Sequence, residues 1–226
     1  MELFEHHFSI FDGNLYYDPE NNKYEMFGNV GIPKHIKYLT FKELFKQMVS
    51  IKEPVILETG IASAGTFSTY LFNEYIRKYG GKMWSVDNNP ELVARHMGNM
   101  CPATTLVCED SVEFLKEWVD ENKGLQANVV YLDSFDLDWY NPHPSAEHGL
   151  KEYVALTPSL KKGTLLLIDD TPINPYWLDT RDQLYDDMTI YYNKHHHLPG
   201  KGQYVLDIEK PANLLLHNYQ ILYKFF

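Results

Sequence analysis

The chain has 226 residues and a mass of 26.5 kDa, a length that suits one domain with appendages and is short for two full-sized domains. Hydrophobic residues make up 44% of it and aromatic residues 15%, which is typical of a folded globular protein and excludes a disordered chain. The formal net charge of -11 predicts no broad basic surface for phosphate backbones. We therefore expect no nucleic-acid partner and favour a compact, neutral small molecule.

Cysteine usage and hydropathy exclude two further classes. The two cysteines, Cys101 and Cys108, form no C-x-x-C pair, so neither a disulfide framework nor a thiolate metal site is predicted. The N-terminus lacks a basic start followed by an apolar run, and no stretch reaches the roughly 20 apolar residues that a membrane span needs. We expect a cytoplasmic protein without a membrane partner. The sequence leaves open whether the chain forms a homo-oligomer.

Residues 1–50 lack the alternation of strands and helices that follows. They contain a hairpin-like stretch and a helical pattern near Thr40 to Ser50, and we interpret them as an N-terminal cap on a domain formed by residues 51–226. From about Glu53, short apolar runs alternate with amphipathic stretches, which predicts βα units on a parallel sheet. The predicted strands are residues 54–60, 82–87, 104–110, 127–134 and 164–170, with helices over 66–80, 90–100, 111–122 and 145–160 between them.

The C-terminal segment does not continue this alternation of strands and helices. A polar, tyrosine-rich helix is expected over residues 180–193, and the runs QYVLDI (203–208) and NYQILYKFF (218–226) are interpreted as a hairpin. The predicted fold is α/β, a Rossmann-like, doubly wound and mostly parallel sheet with a C-terminal antiparallel β-hairpin.

The turn after the first predicted strand is a candidate ligand loop. It runs from Glu58 through Gly60, Ala62 and Gly65 to Thr66, and its glycines let a ligand approach the backbone at a helix N-terminus. The spacing is not G-x-G-x-x-G, and the acidic Glu58 precedes it, so a ligand with a cationic end fits better than a dinucleotide pyrophosphate. The alternative is a purely structural turn.

Acidic residues end the next two predicted strands. Asp87 is placed to accept both hydrogen bonds of a ribose diol, or else to cap the helix that starts at Pro90. Asp110 is placed to face an adenine amino group, and Ser111 is placed to cap the next helix. We expect one of these two residues to be the cap. Ligands of open α/β sheets bind at these carboxyl ends, which favours a common site.

A denser acidic group is predicted at the fourth and fifth strand tips. Asp133, Ser134 and Asp136 end one strand, and Asp169 and Asp170 end its expected neighbour. Converging carboxylates repel one another unless a cation or shared protons intervene. A divalent ion such as Mg2+ or Mn2+ would offset this repulsion. The alternative is that water and nearby lysines solvate the group, with one carboxylate protonated.

His148, early on the following helix, is a candidate general base, since a neutral imidazole titrates near working pH. The alternative is an ordinary surface or core histidine. Aromatic residues flank the domain and offer flat faces for sugar or aromatic rings, or else pack the core. They are Trp139, Tyr140, Tyr176, Trp177, Tyr191 and Tyr192.

The runs VILETGIASAGTFS, WSVDNNP, CEDSVEFL, VVYLDSFD and LLLIDDTP resemble the successive motifs of class I S-adenosylmethionine (SAM)-dependent methyltransferases. The pattern after the fourth strand resembles the branch of macrolide-sugar and other small-molecule O-methyltransferases. The resemblance implies a divalent metal held by Asp133, Asp169 and Asp170. It implies SAM as cofactor, with contacts from Glu58, Gly60, Asp87 and Asp110. We expect further cofactor contacts from Ala62, Gly65, Thr66, Ser111 and Asp133.

The chain departs from that branch at the base. In the sugar enzymes the sequence at this position resembles D-x-D, whereas here Asp136 comes three residues after Asp133. That spacing is similar to the one between the metal aspartate and the catalytic lysine in catechol-type enzymes. The base is therefore open among Asp133, Asp136 and His148. We expect methyl transfer to a hydroxyl of a small molecule, a sugar or glycan first. The alternatives are a phenol or catechol acceptor, or an NAD(P)-binding oxidoreductase on the same fold.

Overall fold

The computed structural model describes residues 1–61 and 65–226. None of the described helices combines the length and the apolar character that a bilayer crossing requires. The elements in chain order are α1 (Glu2–Phe8), β1 (Leu15–Asp18), β2 (Lys23–Met26), α2 (Tyr38–Met48), β3 (Val55–Thr59), α3 (Ser68–Tyr79), β4 (Lys82–Asp87), α4 (Pro90–Met97), β5 (Thr104–Cys108), α5 (Ser111–Glu121), β6 (Val129–Leu132), α6 (His143–Leu156), β7 (Leu165–Ile168), α7 (Gln183–His195), α8 (Gln203–Ile208), β8 (Leu214–His217) and β9 (Ile221–Lys224).

A seven-stranded sheet in the order β5-β4-β3-β6-β7-β9-β8 forms the centre of the domain. The first five strands in that order are parallel, and β9 runs antiparallel to both β7 and β8. Every residue of β3, β6 and β7 is buried, as expected for parallel strands covered on both faces. The predicted doubly wound sheet with a C-terminal antiparallel pair is confirmed, and it is the architecture implied by the methyltransferase resemblance.

Helices cover both faces of this sheet. Successive residues of a strand point to opposite faces, so Ile56 packs with α1, α2 and α3, whereas Leu57 packs with α5, α6 and α8. α4 begins with Pro90 after Asn89, whose side chain accepts hydrogen bonds from the backbone N–H groups of Glu91 and Leu92. The loops that connect each parallel strand to its following helix therefore lie at the carboxyl edge of the sheet.

The N-terminal segment covers one face of the sheet. The hairpin is β1–β2, and the helix predicted near Thr40 to Ser50 is α2. α1 was not predicted; its buried Phe4 and Phe8 contact α2 and share the hydrophobic core with Ile56 of β3. Residues 1–50 thus pack on the central sheet itself.

The structure corrects the prediction for residues 203–208. QYVLDI is helix α8, and the strand that pairs with β9 is β8, which begins after Pro211. The alternating pattern of QYVLDI suggested a strand, but Val205 is buried in the core formed with α6 and β9. Tertiary packing therefore decides the conformation of this short run over its local pattern.

Candidate functional site

A cavity of about 720 Å³, here called the first cavity, opens at the carboxyl edge of the parallel strands. Loops that follow parallel strands meet at this edge, which is where ligands bind in open α/β sheets. Its lining includes Lys37, Gly60, Ile61, Gly65, Asp87, Asp110, Ser111, Asp133, Ser134, Phe135, Asp136, His148, Asp169, Asp170 and Lys201. Most of the residues predicted from strand tips therefore share one space.

Asp87 lies at the tip of β4 with its carboxylate fixed by the backbone. Its Oδ2 accepts a hydrogen bond of 3.1 Å from the N–H of Ile61, and its Oδ1 accepts one of 2.8 Å from the N–H of Asn89. The side chain that caps α4 is Asn89, so capping is not the role of Asp87. Asp87 remains the predicted ribose acceptor.

Glu58 lies behind the wall of the first cavity rather than in it. The residue has 0% exposure, and its carboxylate accepts hydrogen bonds of 2.6 Å from the hydroxyls of Ser68, Thr69 and Ser85. Burial raises the pKa of Glu58 to about 7, although the three hydroxyl donors oppose the shift. Its predicted contact with the cofactor stays a prediction.

The other loop residues are placed as follows. Gly65 lines the first cavity, whereas Thr66 is buried and its carbonyl oxygen lies 2.7 Å from Nε2 of His7. The predicted contact at Ala62 lies outside the described residues.

Gly60 lines the cavity and also has a structural role. Its φ is 83°, and a Cβ atom there would lie 2.5 Å from the carbonyl oxygen of Asp133. Only glycine lets the tip of β3 pass the tip of β6 at this distance.

The residue that caps α5 is Asp110, and not Ser111 as expected. Asp110 is the N-cap of α5 and accepts hydrogen bonds from the N–H groups of Val112 and Glu113. Ser111, expected to cap, instead shares a hydrogen bond of 2.9 Å with Nε2 of His148. A carboxylate caps from the residue before the first helical turn, and Asp110 occupies that position. Both residues still line the first cavity.

The candidate bases lie in different parts of the site. His148 contacts Ser111, stacks on the ring of Phe135 at 5.2 Å between centroids, and lies 3.6 Å from Oε1 of Glu152. These partners follow β5 and β6 or lie on α6, so among the described residues His148 contacts a different part of the site from the carboxylates that follow β7. Asp136 is exposed and lines the first cavity. The choice of base stays a prediction.

The predicted acidic group at the tips of β6 and β7 is present. Asp133, Asp169 and Asp170 each contribute one carboxylate oxygen to a group in which the three oxygens lie within 4.8 Å of one another. Asp170 has a φ of 40°, in the left-handed region that costs a non-glycine residue energy, so surrounding contacts must hold it.

Two lysine ammonium groups lie among these carboxylates. Nζ of Lys201 is 2.7 Å from Oδ1 of Asp133 and 3.2 Å from Oδ2 of Asp170. Nζ of Lys37 forms an ion pair with Asp169 and lies 3.6 Å from Oδ2 of Asp133. We call these five residues the ionic cluster. Each carboxylate has an ammonium partner, so the donor set does not fit a divalent ion while both lysines are in place.

Hydroxyl and amide donors complete the ionic cluster. The hydroxyl of Tyr131 donates to Asp133 at 2.8 Å and to Asp169 at 3.1 Å. The amide of Gln220 donates to Asp169, and the hydroxyl of Tyr219 donates to Asp170, both at 2.8 Å. Buried charges are tolerated when they are paired and hydrogen-bonded in this way.

The pKa values of the ionic cluster follow from burial and pairing. Burial raises the pKa of Asp133, and the charge of Asp169 adds to the shift against the opposing lysines. Burial acts in the same direction on Asp169, but the charges of Lys37 and Lys201 hold its pKa below the usual range. Burial lowers the pKa of both lysines, but the carboxylates more than offset it and raise the two values overall.

Sequence reasoning missed both lysines. Lys37 comes just before α2, in the segment without a matched motif. Lys201 lies between Gly200 and Gly202, and a Cβ atom at Gly200 would be 2.5 Å from the carbonyl oxygen of Asp170. The G-K-G run was thus a signal of close packing.

A second cavity of about 350 Å³ is linked to the ionic cluster through one of its lining residues, Tyr219. Trp139 and Trp177, two of the aromatic residues singled out from the sequence, line it, and so does Tyr219, whose hydroxyl reaches Asp170. His35 also lines it; burial and the charge of Lys37 lower its pKa to about 4, so its imidazole is neutral at pH 7. The remaining lining residues are Asp12, Gly13, Asn14, Met26, Ile36, Leu178, Asp179 and Leu184.

No protein-family model and no curated protein sequence matches the chain. Solved structures with a similar architecture include a TDP-rhamnose 3'-O-methyltransferase of calicheamicin biosynthesis, at 17% identity, a TM-score of 0.49, and coverage of 82% of this chain and 77% of that chain. A putative rRNA methylase from Clostridium thermocellum has 10% identity, a TM-score of 0.46, and coverage of 81% and 94%. A putative methyltransferase from Streptococcus mutans, in complex with SAH, has 8% identity, a TM-score of 0.47, and coverage of 83% and 97%.

Proposed function

We propose that the chain is a SAM-dependent O-methyltransferase that acts on a hydroxyl group of a small molecule. The observation that carries this proposal is the first cavity, which has the fixed carboxylate of Asp87 at the tip of β4 and the ionic cluster at the tips of β6 and β7. A volume of about 720 Å³ is within the range of small-molecule sites. The arrangement suits an extended ligand with a ribose near Asp87 and a reactive end near Asp133.

The environment of Glu58 favours SAM over a dinucleotide. Ser68 and Thr69, the first residues of α3, both donate their hydroxyl hydrogens to Glu58. A carboxyl group therefore lies close to this helix N-terminus, and its negative charge would oppose a pyrophosphate bound there. A cationic amino group is the better neighbour for that carboxyl group.

The second cavity supports a sugar as the acceptor. Trp139 and Trp177 offer apolar faces, while Asp12, Asn14 and Asp179 offer hydrogen-bonding groups to hydroxyls. A phenol or catechol would use the aromatic faces but would engage fewer of these polar groups. We therefore propose a sugar or glycan hydroxyl, presented from the second cavity to the ionic cluster.

The residues of the ionic cluster align the acceptor and take up its proton. Bound SAM supplies a methyl group on a positively charged sulfur. As the acceptor oxygen bonds to that methyl group and the carbon–sulfur bond breaks, the hydroxyl hydrogen must pass to a base. Asp133 is our choice among the predicted bases, because it lines the first cavity and touches both lysines.

Isothermal titration calorimetry with SAM and with NADH tests the proposal. We expect SAM to bind and NADH not to bind. Asp87→Ala should weaken SAM binding at least tenfold, since each charge-assisted hydrogen bond to ribose is worth about 1.5–3 kcal/mol. Asp120→Ala, which changes a carboxylate that is 76% exposed, is the matched control and should bind SAM normally. NADH binding, or equal SAM affinity in Asp87→Ala, would refute the assignment.

A further inference from the structure

The two ammonium groups of the ionic cluster carry the same positive charge as one divalent ion. Asp133, Asp169 and Asp170 converge as a set of oxygen ligands does, but the ammonium groups of Lys37 and Lys201 lie within 4 Å of their oxygens. Each ammonium group carries one positive charge, so the two together carry the charge of Mg2+ or Mn2+.

We infer that Lys37 and Lys201 take the place of a divalent cation, so that the three carboxylates are held together, and two of their three negative charges are balanced, without a metal ion. An ion bound among the three carboxylates would lie a few ångströms from both ammonium groups. Their repulsion, together with the loss of the existing ion pairs, opposes its entry.

Lys201 is fixed in this position by its backbone. Its side chain is 4% exposed, its N–H donates to the carbonyl oxygen of Asp170 at 3.1 Å, and the flanking Gly200 packs directly on Asp170. Its ammonium group cannot move into solvent without losing the ion pairs with Asp133 and Asp170. The same contacts hold Asp170 in its left-handed conformation.

Lys37 reaches the cluster from the N-terminal segment, just before α2. Its N–H donates to Nδ1 of His35 at 3.2 Å, and the next residue begins α2, which packs in the hydrophobic core. The ammonium group is thereby directed between Asp169 and Asp133. The two lysines are positioning residues that hold the carboxylates where an acceptor hydroxyl would meet them.

Ion binding by Lys201→Met tests this inference without relying on the proposed reaction. The substitution keeps an apolar stem but removes the ammonium group, which leaves Asp133 and Asp170 without their shared partner. We expect the variant to bind one Mn2+ per chain at least tenfold more tightly than the unaltered protein, measured by the EPR signal of free Mn2+. Its melting temperature should rise on addition of Mn2+ or Mg2+.

Two controls isolate the cause of this gain. Lys201→Arg keeps a cation and should gain no Mn2+ binding, whereas adding Asp133→Asn to Lys201→Met should abolish the gain. Stoichiometric Mn2+ binding by the unaltered protein, or a folded Lys201→Met that gains none, would overturn the inference. If Lys201→Met does not fold, Lys37→Met takes its place. If neither folds, the unaltered protein alone decides: Mn2+ uptake refutes the inference, and its absence with an unchanged melting temperature in EDTA supports it.

SAM affinity, measured in the same samples, separates this inference from the proposed function. Failure of the unaltered protein to bind SAM, together with the expected ion results, would refute only the function. Mn2+ binding by the unaltered protein with normal SAM affinity would refute only the lysine inference.

Discussion

Glu58 is a carboxylic acid kept inside the protein by three hydroxyl donors. Because burial raises its pKa from 4.5 to about 7, the folded protein binds this proton more tightly than the unfolded chain does. Between these two pH values the unfolded chain loses its proton first. The contribution of Glu58 to stability is therefore most favourable below about pH 4.5 and declines as the pH rises to about 7.

The variant Glu58→Gln should lack this pH dependence. Relative to the variant, the unaltered protein should lose up to about 3 kcal/mol of unfolding free energy between pH 4.5 and pH 7, because one pKa unit corresponds to about 1.4 kcal/mol. Urea unfolding at several pH values measures the difference. Glu117→Gln, at an exposed site, serves as the control and should follow the unaltered protein. Parallel pH curves for the unaltered protein and Glu58→Gln would contradict the prediction.

Among the elements, α1 tests whether residues 1–50 belong to the domain core. Phe8 is 1% exposed, and its ring lies 5.7 Å from that of Tyr38 and 5.6 Å from that of Phe41. Phe8→Ala should lower the free energy of unfolding by about 3–5 kcal/mol, since it opens a cavity in a packed core. Ile10→Ala, two residues away and 69% exposed, should change it by less than about 0.5 kcal/mol. Equal urea midpoints for the two variants would show that α1 is not part of the core.

The elements also show where local patterns succeed and where they fail. β3, β6 and β7 were predicted because continuous apolar runs of this length are typical of buried parallel strands. α8 was misread because a run of six residues carries too little periodicity to separate a strand from a helix. Its conformation depends on Val205, which packs in the core with α6 and β9.

The charge of the whole molecule bears on the choice of acceptor. A net charge of -11 repels phosphate backbones, whose binding depends on lysine and arginine contacts. With labelled SAM, we expect methyl transfer to a member of a panel of sugars and glycans, and none to ribosomal RNA fragments at low salt. Phenols and catechols in the same panel test the alternative acceptor. Labelling of RNA alone would contradict the second cavity as the acceptor site.

The sequence by itself determined the sheet and the acidic edge of the site. Parallel strands end at the same edge, so the order of Asp87, Asp110, Asp133 and Asp169 along the chain was enough to bring them together. Only the tertiary structure decided which cations pair with the carboxylates. Lys37 and Lys201 lie far apart in the sequence, and their convergence depends on how α2 and the loop after α7 pack against the sheet. A local pattern does not encode such long-range packing, because it is fixed by the shape of the whole core.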